Sequence, residues 1–161
     1  MMKTKISIVG IMGLVLMLSF SCNRPVEVTK PDKEKIKAEI QAIENHFAET
    51  YNNRNADSIT YYAEDAVSYF PGQMPIVGKG AIHQHIQNEL MDFPEGAKIS
   101  FETLEIYVTA DGNNVAEIGS HKLVDSTGNV LQMGHYFSFF AKRDGKYVCT
   151  RDMANSVQLE N

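Results

Sequence analysis

The spacing of apolar residues switches once along this chain, from helical period to strand period, and that switch narrows the fold more than any other feature. Between Asp32 and about Arg54, the residues Ile36, Ile40, Ile43, Phe47 and Tyr51 recur every three or four positions, one stripe of an amphipathic helix. A second run, Ile82, Ile86 and Leu90, predicts a helix from about Lys79 to Met91. From Ile99 onward the period is two, and long strands are expected at 99–110, 115–124, 130–143 and 146–157. The turns between them, Asp111-Gly112-Asn113-Asn114, Thr127-Gly128-Asn129 and Asp144-Gly145, are short enough for an antiparallel meander. Helices first and sheet afterwards is an α+β pattern, with N-terminal helices packed on one face of a curved antiparallel sheet. Strands of this length must coil, and Gly119 and Gly134 are placed to permit the bend. A coiled sheet with helices across its mouth encloses a pocket.

Local signals fill in the helical half. Asp32, after Pro31, caps the first helix, whose other face, with Lys33, Lys37, Glu44 and Asn45, is expected in solvent. The run Asn52-Asn53-Arg54-Asn55 ends that helix. ADSITYYAED, residues 56–65, reads as a second, shorter helix, and AVSYF, residues 66–70, as a strand stopped by Pro71-Gly72. There is no internal repeat.

The amino end has its own pattern. Lys3 and Lys5 precede ISIVGIMGLVLMLSF, fifteen uncharged residues, and then Ser21-Cys22. The run is short for a membrane span of about 20 residues, so a cleaved secretory signal is expected, with an uncleaved anchor as the alternative. Residues 1–21 resemble the signal of a bacterial lipoprotein, in which a small residue precedes the cysteine that is lipidated. That resemblance implies lipidation at Cys22, a tether over 22–31 with prolines at 25 and 31, and a domain over 32–161 on the bacterial cell envelope, at the periplasmic face or the cell surface. With Cys22 modified, Cys149 has no partner for a disulfide and reads as a small buried residue. Discounting Lys3 and Lys5 takes the formal net charge from -5 to -7. Such a charge disfavours nucleic acid and anionic lipid, leaving the lipid anchor as the expected membrane contact.

Several segments of the domain resemble one family. YNNRNADSITYYAEDAVSYFPG, GKGAIHQHI, AEIGSHKLV and above all GHYFSFFAKRDGKYVCTRDMANS are similar in order and spacing to the SnoaL-like (DUF4440) proteins of the NTF2-like superfamily, over about residues 33–157. The resemblance implies a cone with an interior pocket, and a homodimer through the outer sheet face. It implies either a binding or assembly module or an enzyme of isomerase, cyclase or dehydratase type working by acid and base without a cofactor. Where the family often has tryptophan this chain has Tyr147 and Ala154, and where it has tyrosine this chain has His121.

Asp152 is the expected general base, because a carboxylate on a strand lining an apolar hollow has its pKa raised. The plainer reading is a structural aspartate bonded to backbone or to Arg151. Strand alternation puts Asp152 on the face opposite Arg151 and Asn155 unless a bulge near Met153 intervenes. His121 and His135 flank the turn at 125–129; an even register puts both on one face, where they can polarise a carbonyl or shuttle protons with Glu117, and a register shifted by one separates them. Tyr62 and Tyr136 are the phenols expected to face a small, mostly apolar ligand, with Glu117 and Asn155 as further ligand contacts. No metal is expected: His83 and His85, two apart on a helix, diverge, and His121, His135 and Glu117 form no compact ligand motif.

Overall fold

The structure, a computed structural model, describes residues 30–158; the signal, Cys22 and most of the tether lie outside the described residues. Helix α1 spans Lys33–Asn52, with the Asp32 carboxylate accepting from the Lys35 amide at 3.1 Å. It runs along β3 (Lys98–Val108), an outer strand of the sheet, and its side chains stand in for a missing neighbour strand. The Gln41 amide donates to the Phe101 carbonyl and accepts from the Thr103 N–H, at 3.0 and 2.7 Å. Asn52 does the same at Ile99, at 2.9 and 2.8 Å. Backbone groups of an edge strand are thereby closed to another chain. The start of α1 sits at one pole of the sheet, where Pro31 packs on Gly112, and its last turn reaches Ile99 at the other.

After α1 the chain departs from expectation. Asn53 closes the helix, Arg54 takes a positive φ of 51°, and only a 3-10 turn, Ala56–Ser58, follows. The expected second helix is instead the start of β1 (Tyr62–Tyr69). Ile59, Thr60, Tyr61 and Tyr62 are β-branched or aromatic, and both tyrosines bury their rings as soon as the backbone is extended. Strand β2 (Ile76–Val77) pairs antiparallel with β1, and α2 (Lys79–Met91) buries Ile82, Ile86 and Leu90 as their spacing predicts.

Strands β3, β4 (Asn114–Val124), β5 (Val130–Arg143) and β6 (Lys146–Gln158) form the expected meander. The sheet order is β2-β1-β6-β5-β4-β3, and β1 lies parallel to β6, so the sheet is mixed where a wholly antiparallel one was expected. Single extra residues interrupt three ladders: Leu104 in β3, Leu131 in β5 and Thr150 in β6. Each bends its strand and reverses which residues face inward. At Gly119, the ring of Tyr136 occupies the place of a side chain, 2.1 Å from where a Cβ would stand. Helices α1 and α2 cover the concave face around a core that includes Ile40, Ile82, Ile86, Ile106, Val115 and Phe140.

Candidate functional site

Between the two helices and the concave sheet lies a cavity of about 510 Å³. Its floor is formed by Glu44, Tyr61, Ser138 and Tyr136, its wall by Tyr62, His121 and Asp152, and its mouth by Phe70, Phe93, Asp92 and Gln132. That mouth lies at the pole where α1 ends.

The bulge at Thr150 builds the wall. Cys149 pairs with Phe140 and both are fully buried; one extra residue later, Asp152 pairs with Ser138 and also points inward. Were Thr150 paired in unbroken alternation, inward residues would continue as 151 and 153. The bulge thus comes before Met153, and Arg151 and Asn155 stay on the outer face. Tyr62 donates to Asp152 Oδ2 at 2.8 Å, while Oδ1 is buried without a well-aligned donor. Burial raises the Asp152 pKa, and the Ser68 and Tyr62 hydroxyls hold it partly down. Arg151 turns away to the Asp65 carbonyl, 3.1 Å off, and makes no pair with Asp152.

Beneath this wall is a group the sequence reading did not find. Glu44 was expected in solvent, yet it is 1 % exposed, in the core. It accepts from Tyr61 at 2.6 Å, and Tyr61 also meets Ser138 at 3.0 Å. On its other side Glu44 adjoins Glu117, which takes hydrogen bonds from Thr103 at 2.6 Å and Tyr136 at 3.1 Å on one oxygen and has no donor from any other residue at Oε2. Two carboxyls in contact and out of water do not both ionise. Burial and the neighbouring Glu117 charge push the Glu44 pKa well up, so Glu44 keeps its proton and offers it to Glu117. Burial also raises the Glu117 pKa, but its three donors make it the charged member. The signal was available: Glu44 continues the stripe Ile40, Phe47, Tyr51 at steps of four, three and four.

The other expected residues divide by face. Tyr62, Tyr136, His121 and Asp152 line the cavity, whereas Glu117 is wholly buried behind its lining. Tyr136 spends its hydroxyl on Glu117. His135 is not brought to His121: Ser120 pairs with His135 and His121 with Gly134, so the imidazoles stand on opposite faces. Leu131, the extra residue beside the turn, causes this one-place shift. Asn155 pairs with His135 on that outer face and accepts from its N–H at 3.1 Å. Burial, then the charge of His135, lowers the His121 pKa, which keeps its ring neutral. Cys149 is fully buried, and burial raises its thiol well above the ordinary range, as suits an inert core residue. Among the described residues, no three His, Cys, Asp or Glu side chains are grouped to hold a metal.

The family model described as a SnoaL-like domain matches residues 43–150. The chain belongs to the SnoaL-like domain family. The matched span contains Glu44 and stops two residues before Asp152. No curated protein sequence matches the chain. Among solved structures, this SnoaL-like domain is similar to a domain of unknown function with a cystatin-like fold from Nostoc punctiforme, at 11% identity and a TM-score of 0.65, over 79% of this chain and 78% of that one. An NTF2-like protein of unknown function from Shewanella oneidensis has 17% identity and a TM-score of 0.61, over 73% and 96%. A ketosteroid isomerase-like protein from Erwinia carotovora atroseptica has 16% identity and a TM-score of 0.56, over 76% and 97%. The likeness is one of fold: an NTF2-like cone of helices on a curved sheet.

Proposed function

We propose that this SnoaL-like domain takes a small, largely apolar molecule into its cavity and moves a proton on it, with Asp152 as the accepting group. The observation that carries this reading is Asp152 itself, a carboxylate in the wall of an aromatic-lined cavity that has hydroxyls beside it and no cation. Its raised pKa brings it toward the range in which a carboxylate works as a base. His121, neutral on the same wall, can polarise a carbonyl of the bound molecule. The likeness to a ketosteroid isomerase-like protein agrees with proton transfer within one molecule. The domain works without a cofactor, held at the cell envelope by a lipid on Cys22.

A second reading, a non-catalytic binding or assembly module, is favoured by the outer face of β5 and β6. There the cross-strand pairs Met133–Val157 and Phe137–Met153 leave four large apolar side chains exposed, a surface suited to a homodimer.

Native mass spectrometry of protein taken from its own host identifies the retained molecule, and deuterium uptake by that molecule in heavy water measures proton transfer. Asp152→Asn is expected to slow uptake by about 10²-fold or more while leaving Tm nearly unchanged. A collapsed Tm makes Asp152 a structural residue, and full exchange in the variant removes it as the base.

A further inference from the structure

We infer that Gly119 and Ala154 decide which molecules the cavity takes: together they clear a seat on the inner face of β6, next to Asp152, shaped for a flat ring system. This deepens the binding role just proposed and rests on it. The cross-strand row Gly119, Tyr136, Ala154 runs over β4, β5 and β6, one step from the row Glu117, Ser138, Asp152. Its one large side chain, Tyr136, is tipped entirely toward β4. A Cβ on Gly119 would overlap the end of the Tyr136 ring and meets no backbone atom among its nearest neighbours. The Tyr136 hydroxyl reaches Glu117 on the same strand at 3.1 Å, and Phe101 backs the ring edge-on with centroids 5.7 Å apart. Tyr136 is buried by this, whereas its partner Ala154 lines the cavity and is left exposed.

The other flank of Ala154 is cleared as well. The register that sets Tyr69 beside Met153 carries Phe70 alongside Ala154, but the Phe70 ring is drawn onto α2, 4.1 Å from the His85 imidazole. A methyl floor between two aromatic side chains takes a planar, apolar body and has no height for a globular one. The reacting groups stand at the two ends of this seat. Asp152 is two residues away on the same face of β6. In the next row toward the mouth, the His121 ring lies across Gly134, its Cε1 2.8 Å from where a Cβ would stand. A ring lying on Ala154 is therefore held between the base and the imidazole that polarises it.

Three neutral methyl ketones test this by equilibrium dialysis of the full chain in detergent, with protein-free micelles as the blank: acetophenone, 2-acetonaphthone and 1-acetyladamantane. The flat naphthyl ketone is expected to bind at least about tenfold tighter than the globular adamantyl one. Ala154→Leu should weaken the naphthyl ketone at least about tenfold and leave acetophenone within about threefold, with Tm unchanged. Gly119→Ala should produce the same selective loss by driving the Tyr136 ring toward β6. Adding Tyr136→Leu to that variant should recover naphthyl ketone binding, which a merely damaged sheet would not do. If Ala154→Leu binds the naphthyl ketone as the unaltered chain does, or if the adamantyl ketone binds equally well, the seat is wrong and the small-molecule cavity stands. If none of the three binds the unaltered chain, the cavity reading falls and the seat with it.

Discussion

Glu44 and Asp152 are both carboxylic acids turned inward, yet they differ in what surrounds them. Glu44 shares its proton with Glu117 and is satisfied by Tyr61, whereas Asp152 has only hydroxyls beside it and no second carboxyl. The folded-state pKa of Glu44 is raised, so the folded chain holds a proton that the unfolded chain gives up above about pH 4.3. Stability from this group is therefore complete below that value and is lost as pH rises toward the folded pKa. Glu44→Gln retains a neutral donor toward Glu117 and an acceptor for Tyr61. Thermal melts should show it more stable than the unaltered chain by on the order of 1 kcal/mol near neutral pH, with no difference at about pH 4. A destabilised variant at neutral pH would mean that Glu44 is ionised in the fold. Tyr136 and His121 were legible in the sequence because alternation along strands is a local rule; Tyr62 was picked out as a phenol in a segment read as helix, and the face of Asp152 depended on the bulge before it. Glu44 was not, because a charged side chain on a helix is assigned to solvent by its type; only its position on the apolar stripe gave it away.

At the level of elements, the four strands of the meander and α2 were legible to within two residues, since long periodic segments carry their own signal, whereas β2 was not expected and β1 began earlier than its strand signal. What the pattern could not reveal was where a ladder gains a residue. Leu131 separates His135 from His121, and Thr150 turns Asp152 inward; both depend on pairing between distant strands. Deleting Thr150 should remove the bulge and leave Cys149, Arg151 and Asp152 in plain alternation, with Asp152 still facing inward opposite Ser138. Circular dichroism is expected to retain the sheet and retained-ligand mass spectrometry to show the cavity still occupied; an emptied cavity would mean that the bend at Thr150, and not the pairing of Asp152 with Ser138, shapes the wall. The stretch 56–65 misled in another way. Its composition permits either a short helix or a strand, and the choice is made by long-range pairing, beginning with the Cys149 N–H to the Tyr61 carbonyl at 2.8 Å. The amides of Gln41 and Asn52 make a further element-scale claim. Replacing both with alanine frees four backbone groups of β3 and should cost about 1–3 kcal/mol, read by denaturant unfolding. Light scattering should also detect new self-association, because the edge is then open; unchanged stability and dispersity would show that α1 covers β3 by packing alone.

Among the described residues the sheet has a concave side that holds the cavity and a convex side that exposes apolar side chains. Phe137 pairs with Met153 on the convex side and is not among the residues that line the cavity. Phe137→Glu should therefore convert a dimer to a monomer in multi-angle light scattering without altering binding of small molecules. A monomeric unaltered chain at micromolar concentration would remove the assembly reading. The concave side has a direction as well. Helix α1, about 30 Å long, separates Pro31, packed on the β3–β4 turn, from the cavity mouth beyond Ile99. Residues 23–31 reach about 30 Å at full stretch, no farther than the helix itself. A bilayer gripping Cys22 would face the sealed end of the cone, and the opening would look out into the aqueous space. Guests would then arrive from solution instead of sliding in sideways from the lipid.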